Sequence, residues 1–121
     1  MATDDCPLIA VVGVCAAGKS TLVNGLRALG LNAREVLQEH SYVPNMWQRI
    51  TKPDLLIFLD CSIETTRTRR SDRHFQTWLL DEERHRLRHA REHCNLYIAT
   101  DDLTPDEILA RSLALVNRDA F

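Results

Sequence analysis

Gly13-Val14-Cys15-Ala16-Ala17-Gly18-Lys19-Ser20 has the form G-x-x-x-x-G-K-[ST], and that spacing has a physical purpose. Two glycines let the backbone curl until successive N–H groups point into one hollow that suits a phosphate. A helix starting at about Lys19 aims its positive dipole end at the same point. Lys19 can reach the outer phosphates, and the Ser20 hydroxyl can take a place on Mg²⁺. Lys19 and Lys52 are the two lysines among 15 basic side chains. A compact point charge therefore stands here in a chain that otherwise uses arginine.

The flanks agree with this reading. Pro7-Leu8-Ile9-Ala10-Val11-Val12 is short, apolar and rich in β-branched residues, and suits a buried parallel strand over about 8–12. Beyond the loop, Leu22, Val23, Leu26 and Leu29 share one face of a helix over about 19–29, and Gly30 stops it. The order strand, loop, helix gives the motif the context it needs.

Working outward, residues 1–6 read as a polar tail of a single domain spanning 1–121. Residues 32–38, with Ala33, Val36 and Leu37, form an expected second strand. Residues 40–53 are irregular, with one helical turn at Met46–Ile50. Leu55-Leu56-Ile57-Phe58-Leu59 is the strongest strand pattern. Asp60 ends it, and Ser62 caps a helix over about 63–70. Phe75–His93 is expected as one long helix with a narrow stripe of Leu80, Leu87, Ala90 and Cys94. Asp81–His85 and Glu82–Arg86 are favourable i,i+4 pairs on it. Leu96–Ala99 is a last strand. Thr104-Pro105-Asp106-Glu107 then supplies an N-cap, an N1 proline and a capping-box glutamate for a final helix packed through Ile108, Leu109, Leu113 and Val116. This alternation predicts a three-layer α/β fold: a four-stranded parallel sheet in the order 2-1-3-4, with helices on both faces. Ligands collect at the carboxyl ends of such strands. Those ends carry the glycine loop, Gln38-Glu39-His40, Asp60 and Thr100-Asp101.

Bulk properties narrow the function classes. The net charge of −2 and the pI near 6.2 disfavour a general nucleic-acid or membrane binder. Neither a long apolar run nor a signal-peptide pattern is visible. Cys6, Cys15, Cys61 and Cys94 are scattered without C-x-x-C and read as reduced cytoplasmic thiols.

Pro53-Asp54-Leu55-Leu56-Ile57-Phe58-Leu59-Asp60, followed by Glu64-Thr65-Thr66-Arg67-Thr68-Arg69-Arg70, resembles the fourth strand and lid of the P-loop kinases. The thymidylate and deoxynucleoside kinases are nearest in texture. The short last strand, the Thr100-Asp101 pair and the Pro-Glu helix start resemble them too. With the glycine loop, the resemblance covers most of the chain from residue 8 onward, as a truncated member of the P-loop NTPase superfamily. It implies a nucleoside triphosphate, ATP or another, with Mg²⁺. The loop backbone from Ala16, Ala17 and Gly18 to Lys19, turning on Gly13, would cradle the β-phosphate. Thr21 would take the α-phosphate, and the Thr100–Leu103 loop, with Asp101, would lie near the base. The span from His40 to Asp54 is too short for the helices, strand and acceptor pocket those kinases hold there. If their acidic metal-site strand is missing, strand 2 takes its place and brings Glu39 near Mg²⁺. Asp60 alternatively satisfies the hhhhD pattern itself. Arg67, Arg69, Arg70 and Arg73 stand where kinase lids carry phosphate-contacting arginines, Arg67 and Arg70 on one face. The segment over 64–75 is expected to open without ligand.

Other residues carry weaker signals. His85, His89 and His93 with Cys94 have helical metal-ligand spacing, but Arg84, Arg86, Arg88 and Arg91 among them favour a solvated basic face. Cys15, beside Lys19 and a helix start, has a setting that can lower a thiol's pKa, but an ordinary variable loop position is the reading preferred. Tyr42, Trp47 and Trp78 read as core or pocket walls. No N-K-x-D guanine motif appears, as only Asn117-Arg118-Asp119 approaches it, and there is no ABC signature. The leading expectation is phosphoryl transfer from ATP to a small acceptor, with Lys19, Glu39, Asp60, Arg67 and Arg70 as catalytic candidates and Ser20, Glu39 and Asp60 on the metal. A nucleotide-sensing module with little turnover and an NTPase completed by a protein partner or second copy are the alternatives.

Overall fold

A computed structural model describes residues 7–119, with side chains to Asn117. The tail over 1–6 lies outside the described residues. Four strands, β1 (Leu8–Gly13), β2 (Asn32–Glu35), β3 (Leu55–Asp60) and β4 (Leu96–Ala99), form one parallel sheet in the order β2-β1-β3-β4. The expected strand order is therefore the observed one. Six helices connect and cover the sheet: α1 (Lys19–Ala28), α2 (Met46–Ile50), α3 (Ile63–Arg70), α4 (Thr77–Arg86), α5 (Arg88–His93) and α6 (Pro105–Asp119). They lie on both faces, and α1 and α6 pack on each other.

The central strands β1 and β3 bury both faces, which is why they read as unbroken apolar runs. Val11 pairs with Glu35 on one side and Ile57 on the other, placing the glycine loop at the middle of the sheet's carboxyl edge. Asp54 sets this register: its carboxylate accepts from Leu8 N–H at 2.7 Å while its own N–H donates to Leu8 C=O at 2.8 Å. Asn95 joins β4 to β3 in the same manner through Leu56. No helix among the described residues is long and apolar enough to cross a membrane.

Two elements differ from the sequence expectation. The second strand ends at Glu35, and the chain turns through a 3₁₀ segment, Gln38–His40, before α2. The expected long helix is broken at Leu87, which lies between α4 and α5 with φ −95° and ψ 1°. One side chain explains both. Gln38 is fully buried; it donates to Val43 C=O at 2.8 Å and to Arg86 C=O at 3.1 Å, and accepts from Trp47 N–H at 2.8 Å. The carbonyl left free by the helix break thus has a partner, as a buried polar group requires. The Glu82–Arg86 pair forms at 3.3 Å.

Candidate functional site

β1 delivers Gly13 against β3 so closely that a Cβ there would stand 2.1 Å from Leu59 O. The first glycine is thus dictated by sheet packing. Val14 N–H bonds Leu59 C=O at 3.3 Å and Ala17 N–H bonds Val14 C=O at 3.3 Å, closing the loop on itself. Ala16 at φ 65° and Gly18 at φ 103° supply the left-handed reversals; the second suits glycine, while the first strains an alanine. The N–H groups of Ala16, Gly18, Lys19, Ser20 and Thr21 make no hydrogen bond within the described residues. A row of free donors thus stands at the N-terminus of α1, where a helix favours an anion.

Lys19 is buried and folded back over this loop. Its Nζ donates to Gly13 C=O and Val14 C=O, both at 3.0 Å, and pairs with Glu39 Oε2 at 3.0 Å. Glu39 comes from the 3₁₀ segment, its side chain 2% exposed, and its other oxygen, Oε1, is buried without a hydrogen-bond partner. His40 Nε2 lies 3.7 Å from Oε2. Ser20 Oγ donates to Glu35 Oε1 at 2.8 Å. Glu35, at the last position of β2, is therefore the carboxylate in direct contact with Ser20, a residue the sequence reading passed over. Pairing of β2 with β1 projects it there, and only the register reveals this.

Glu83 was also missed. It is buried on α4, and its Oε1 accepts from Cys15 N–H at 2.8 Å. The signal was available: Glu83 falls three residues after Leu80 and four before Leu87, inside the apolar stripe, where an unpaired acid does not belong. Burial, and next the adjacent Glu83 charge, push the Cys15 thiol up to about 11. The lowering that a helix start and Lys19 could bring is not seen, since desolvation and the carboxylate outweigh Lys19 and Arg70.

The arginine that reaches the loop is Arg69. It donates to Ala16 C=O at 2.9 Å, Thr100 Oγ1 at 2.9 Å and Thr100 C=O at 2.6 Å. Arg67 instead donates to Phe75 C=O at 2.9 Å, and the Arg70 guanidinium lies over the Phe75 ring at 4.9 Å. The segment expected to open without ligand is thus tied at Arg67 and at its end, with Thr66 and Phe75 buried. Thr100 is buried and ties the loop to β3, donating to Ala17 C=O at 2.9 Å. A cavity of about 400 Å³ opens between Ala16, Gly18, Thr21 and Arg69 on one side and Leu103 and Ile108 on the other. Of the Thr100–Leu103 loop, Leu103 lines this cavity.

Asp60 is committed elsewhere. Its carboxylate takes Arg84 at 3.2 Å, Tyr97 Oη at 2.7 Å and Cys61 N–H at 2.9 Å, and none of these contacts is with the loop. Burial, then that Asp60 contact, raises Tyr97 to about 12. Asp101 does not face the cavity lining; it serves the start of α3, accepting from Ser62 N–H at 2.8 Å and Thr65 Oγ1 at 2.6 Å. Partial burial pushes its carboxyl up, but the bonds from Thr65 and Ser62 win and bring it from 3.8 to about 2. Its folded value is depressed, so its stabilisation is complete above the unfolded value and is lost as pH falls through about 2. Asp101→Asn should cost about 1 kcal/mol at neutral pH after solvent screening. In urea unfolding, the gap from wild type should close as pH is lowered from about 4 towards 2; a gap independent of pH would assign the loss to packing.

Among the described residues no group of three or more His, Cys, Asp or Glu side chains could hold a metal ion. His89 packs: Trp47 Nε1 donates to His89 Nδ1 at 3.2 Å, and His89 stacks on His93 at 4.2 Å, while His85 and His93 are exposed. Trp47 is core, as expected, whereas Tyr42 is 83% exposed beneath the Arg86 guanidinium and Trp78 is 64% exposed. The chain matches no model of a known protein family, and a search of curated proteins finds no match.

Proposed function

We propose that this chain is a P-loop nucleotide-binding protein that holds ATP, or a related nucleoside triphosphate, with Mg²⁺, and passes the terminal phosphoryl group to a small acceptor. One observation carries the reading: the N–H groups of Ala16, Gly18, Lys19, Ser20 and Thr21 lack partners among the described residues, around a helix start that also bears a buried lysine. A row of unpaired N–H groups at a helix start is a ready anion site, and the spacing suits a phosphate chain. The adjoining cavity, with Leu22, Leu103 and Ile108 as apolar walls and Arg69 at its mouth, is of a size for a nucleoside.

The residues present fit Mg²⁺, which is bound by few protein oxygens and completed by phosphates and water. Ser20 would hold the ion, with Glu35 already in contact with that hydroxyl and the unpartnered oxygen of Glu39 nearby through Lys19. Bound there, Mg²⁺ would neutralise charge on the phosphates. Lys19 would exchange its two loop carbonyls for phosphate oxygens, remaining anchored by Glu39. Arg69 would stabilise charge from the cavity side. The free thiols Cys15, Cys61 and Cys94 fit a cytoplasmic setting.

Titration calorimetry with ATP and Mg²⁺ tests the binding. A dissociation constant below about 1 mM is expected, weakened at least about tenfold by Thr21→Trp, which fills the cavity mouth. Absence of binding at millimolar ATP and GTP would end this reading.

A further inference from the structure

The loop's donors divide into two groups. Those at Ala16, Gly18, Lys19, Ser20 and Thr21 are free, and Ala16, Gly18 and Thr21 line the cavity. The two farther along, the Cys15 N–H and the Lys19 ammonium, are already held by carboxylates of the chain itself. Glu83 takes Cys15 N–H at 2.8 Å, and Glu39 takes Lys19 Nζ at 3.0 Å. Neither Cys15 nor either carboxylate lines the cavity. On the nucleotide reading above, on which this inference rests, the nucleoside occupies the cavity and the phosphates run past Gly18 towards Cys15. The inner phosphates then meet open donors. The terminal phosphate meets donors that are occupied, and occupied by negative charge.

We propose that Glu83 is a specificity-determining residue that holds the terminal phosphate position of the loop, so that the resting site prefers a nucleoside diphosphate to a triphosphate. A diphosphate uses the free donors and leaves Glu83 on Cys15. A triphosphate must expel a buried carboxylate, because two anions cannot share one N–H at contact distance in a poorly screened site. Glu83 is carried by α4, which also packs on the 3₁₀ segment bearing Glu39. Expulsion therefore shifts α4, and the loop reports through it whether a terminal phosphate is present.

Glu83→Gln tests this with little change of shape. It keeps an oxygen that can accept from Cys15 N–H and removes the charge. The measurement is the ratio of ADP to ATP affinity, each with Mg²⁺, by calorimetry in wild type and variant. The expected result is a shift of that ratio towards ATP by about tenfold or more, with ADP affinity nearly unchanged. In wild type, ATP but not ADP should speed hydrogen exchange over residues 77–86. An unchanged ratio with both nucleotides still binding would overturn the role of Glu83 and leave the nucleotide site standing. Absence of binding by either nucleotide, in both proteins, would overturn the site and this inference together.

Discussion

Replacing Lys19 by methionine should destabilise the fold by about 3–5 kcal/mol, because it strands a buried carboxylate. Glu39 keeps a side chain 2% exposed, and Oε1 already lacks a partner. With Lys19 gone, Oε2 retains only His40, at 3.7 Å, and His40 is itself exposed. The converse change, Glu39→Leu, leaves the ammonium on two loop carbonyls and should cost less. Replacing both at once should recover most of the loss, since an apolar pair of similar volume removes both buried charges. Urea unfolding of the four proteins measures the coupling. Simple additivity of the two single costs would mean that the pair contributes nothing through its charges. The double variant also separates stability from the proposed function: it should fold and yet, on that proposal, bind ATP poorly, as the cation proposed to meet the phosphates is absent.

This cycle also bears on what the pair is for. A buried ion pair is weak evidence of stabilisation, since desolvation offsets most of the attraction. The pair holds an ammonium at the edge of a row of free N–H groups, with a carboxylate oxygen left over. Such an arrangement makes more sense as a site in waiting than as a structural clasp. Sites of this kind are where local rules of polar satisfaction are expected to fail.

The sheet was legible because its signals are local. β1 and β3 are apolar runs bounded by glycine, proline and aspartate, and four βα alternations leave few topologies open. The glycine loop was legible for the same reason, and so was Ser62, whose side chain caps α3 by accepting from Thr65 N–H at 3.1 Å. The partners of the loop were not. Glu35 is set by strand register, Glu83 by the packing of α4, and Arg69, in place of Arg67 or Arg70, by the rotation of α3 about its axis. Each is a contact across a long stretch of chain, where spacing within one segment says nothing. The helix break at Leu87 was hidden likewise, because the residue that satisfies it lies far away in the chain.

Gln38→Ala should therefore be as damaging as any large core truncation, at about 3–5 kcal/mol, although glutamine is a residue usually found on surfaces. Two backbone groups depend on it, Arg86 C=O and Trp47 N–H, while Val43 C=O would keep Met46 N–H at 3.1 Å. Each left unpaired in the interior costs about 1–3 kcal/mol. Water entering the vacated volume can repair some of that, which keeps the sum below the upper limit. Gln38→Glu should be nearly as harmful, since it retains an acceptor for Trp47 N–H but offers no donor to the two carbonyls and adds a buried charge. The damage should be directional. Hydrogen exchange should rise first over 46–50 and 87–93, which Gln38 ties to the 3₁₀ segment, while β1 and β3 stay protected until global unfolding. Because Glu39 follows Gln38 directly, loosening that segment should release Lys19 from its partner and weaken nucleotide binding without touching the loop. A loss of stability under about 1 kcal/mol, with exchange unchanged over 46–50, would show that the backbone holds this corner unaided and that Gln38 merely fills space.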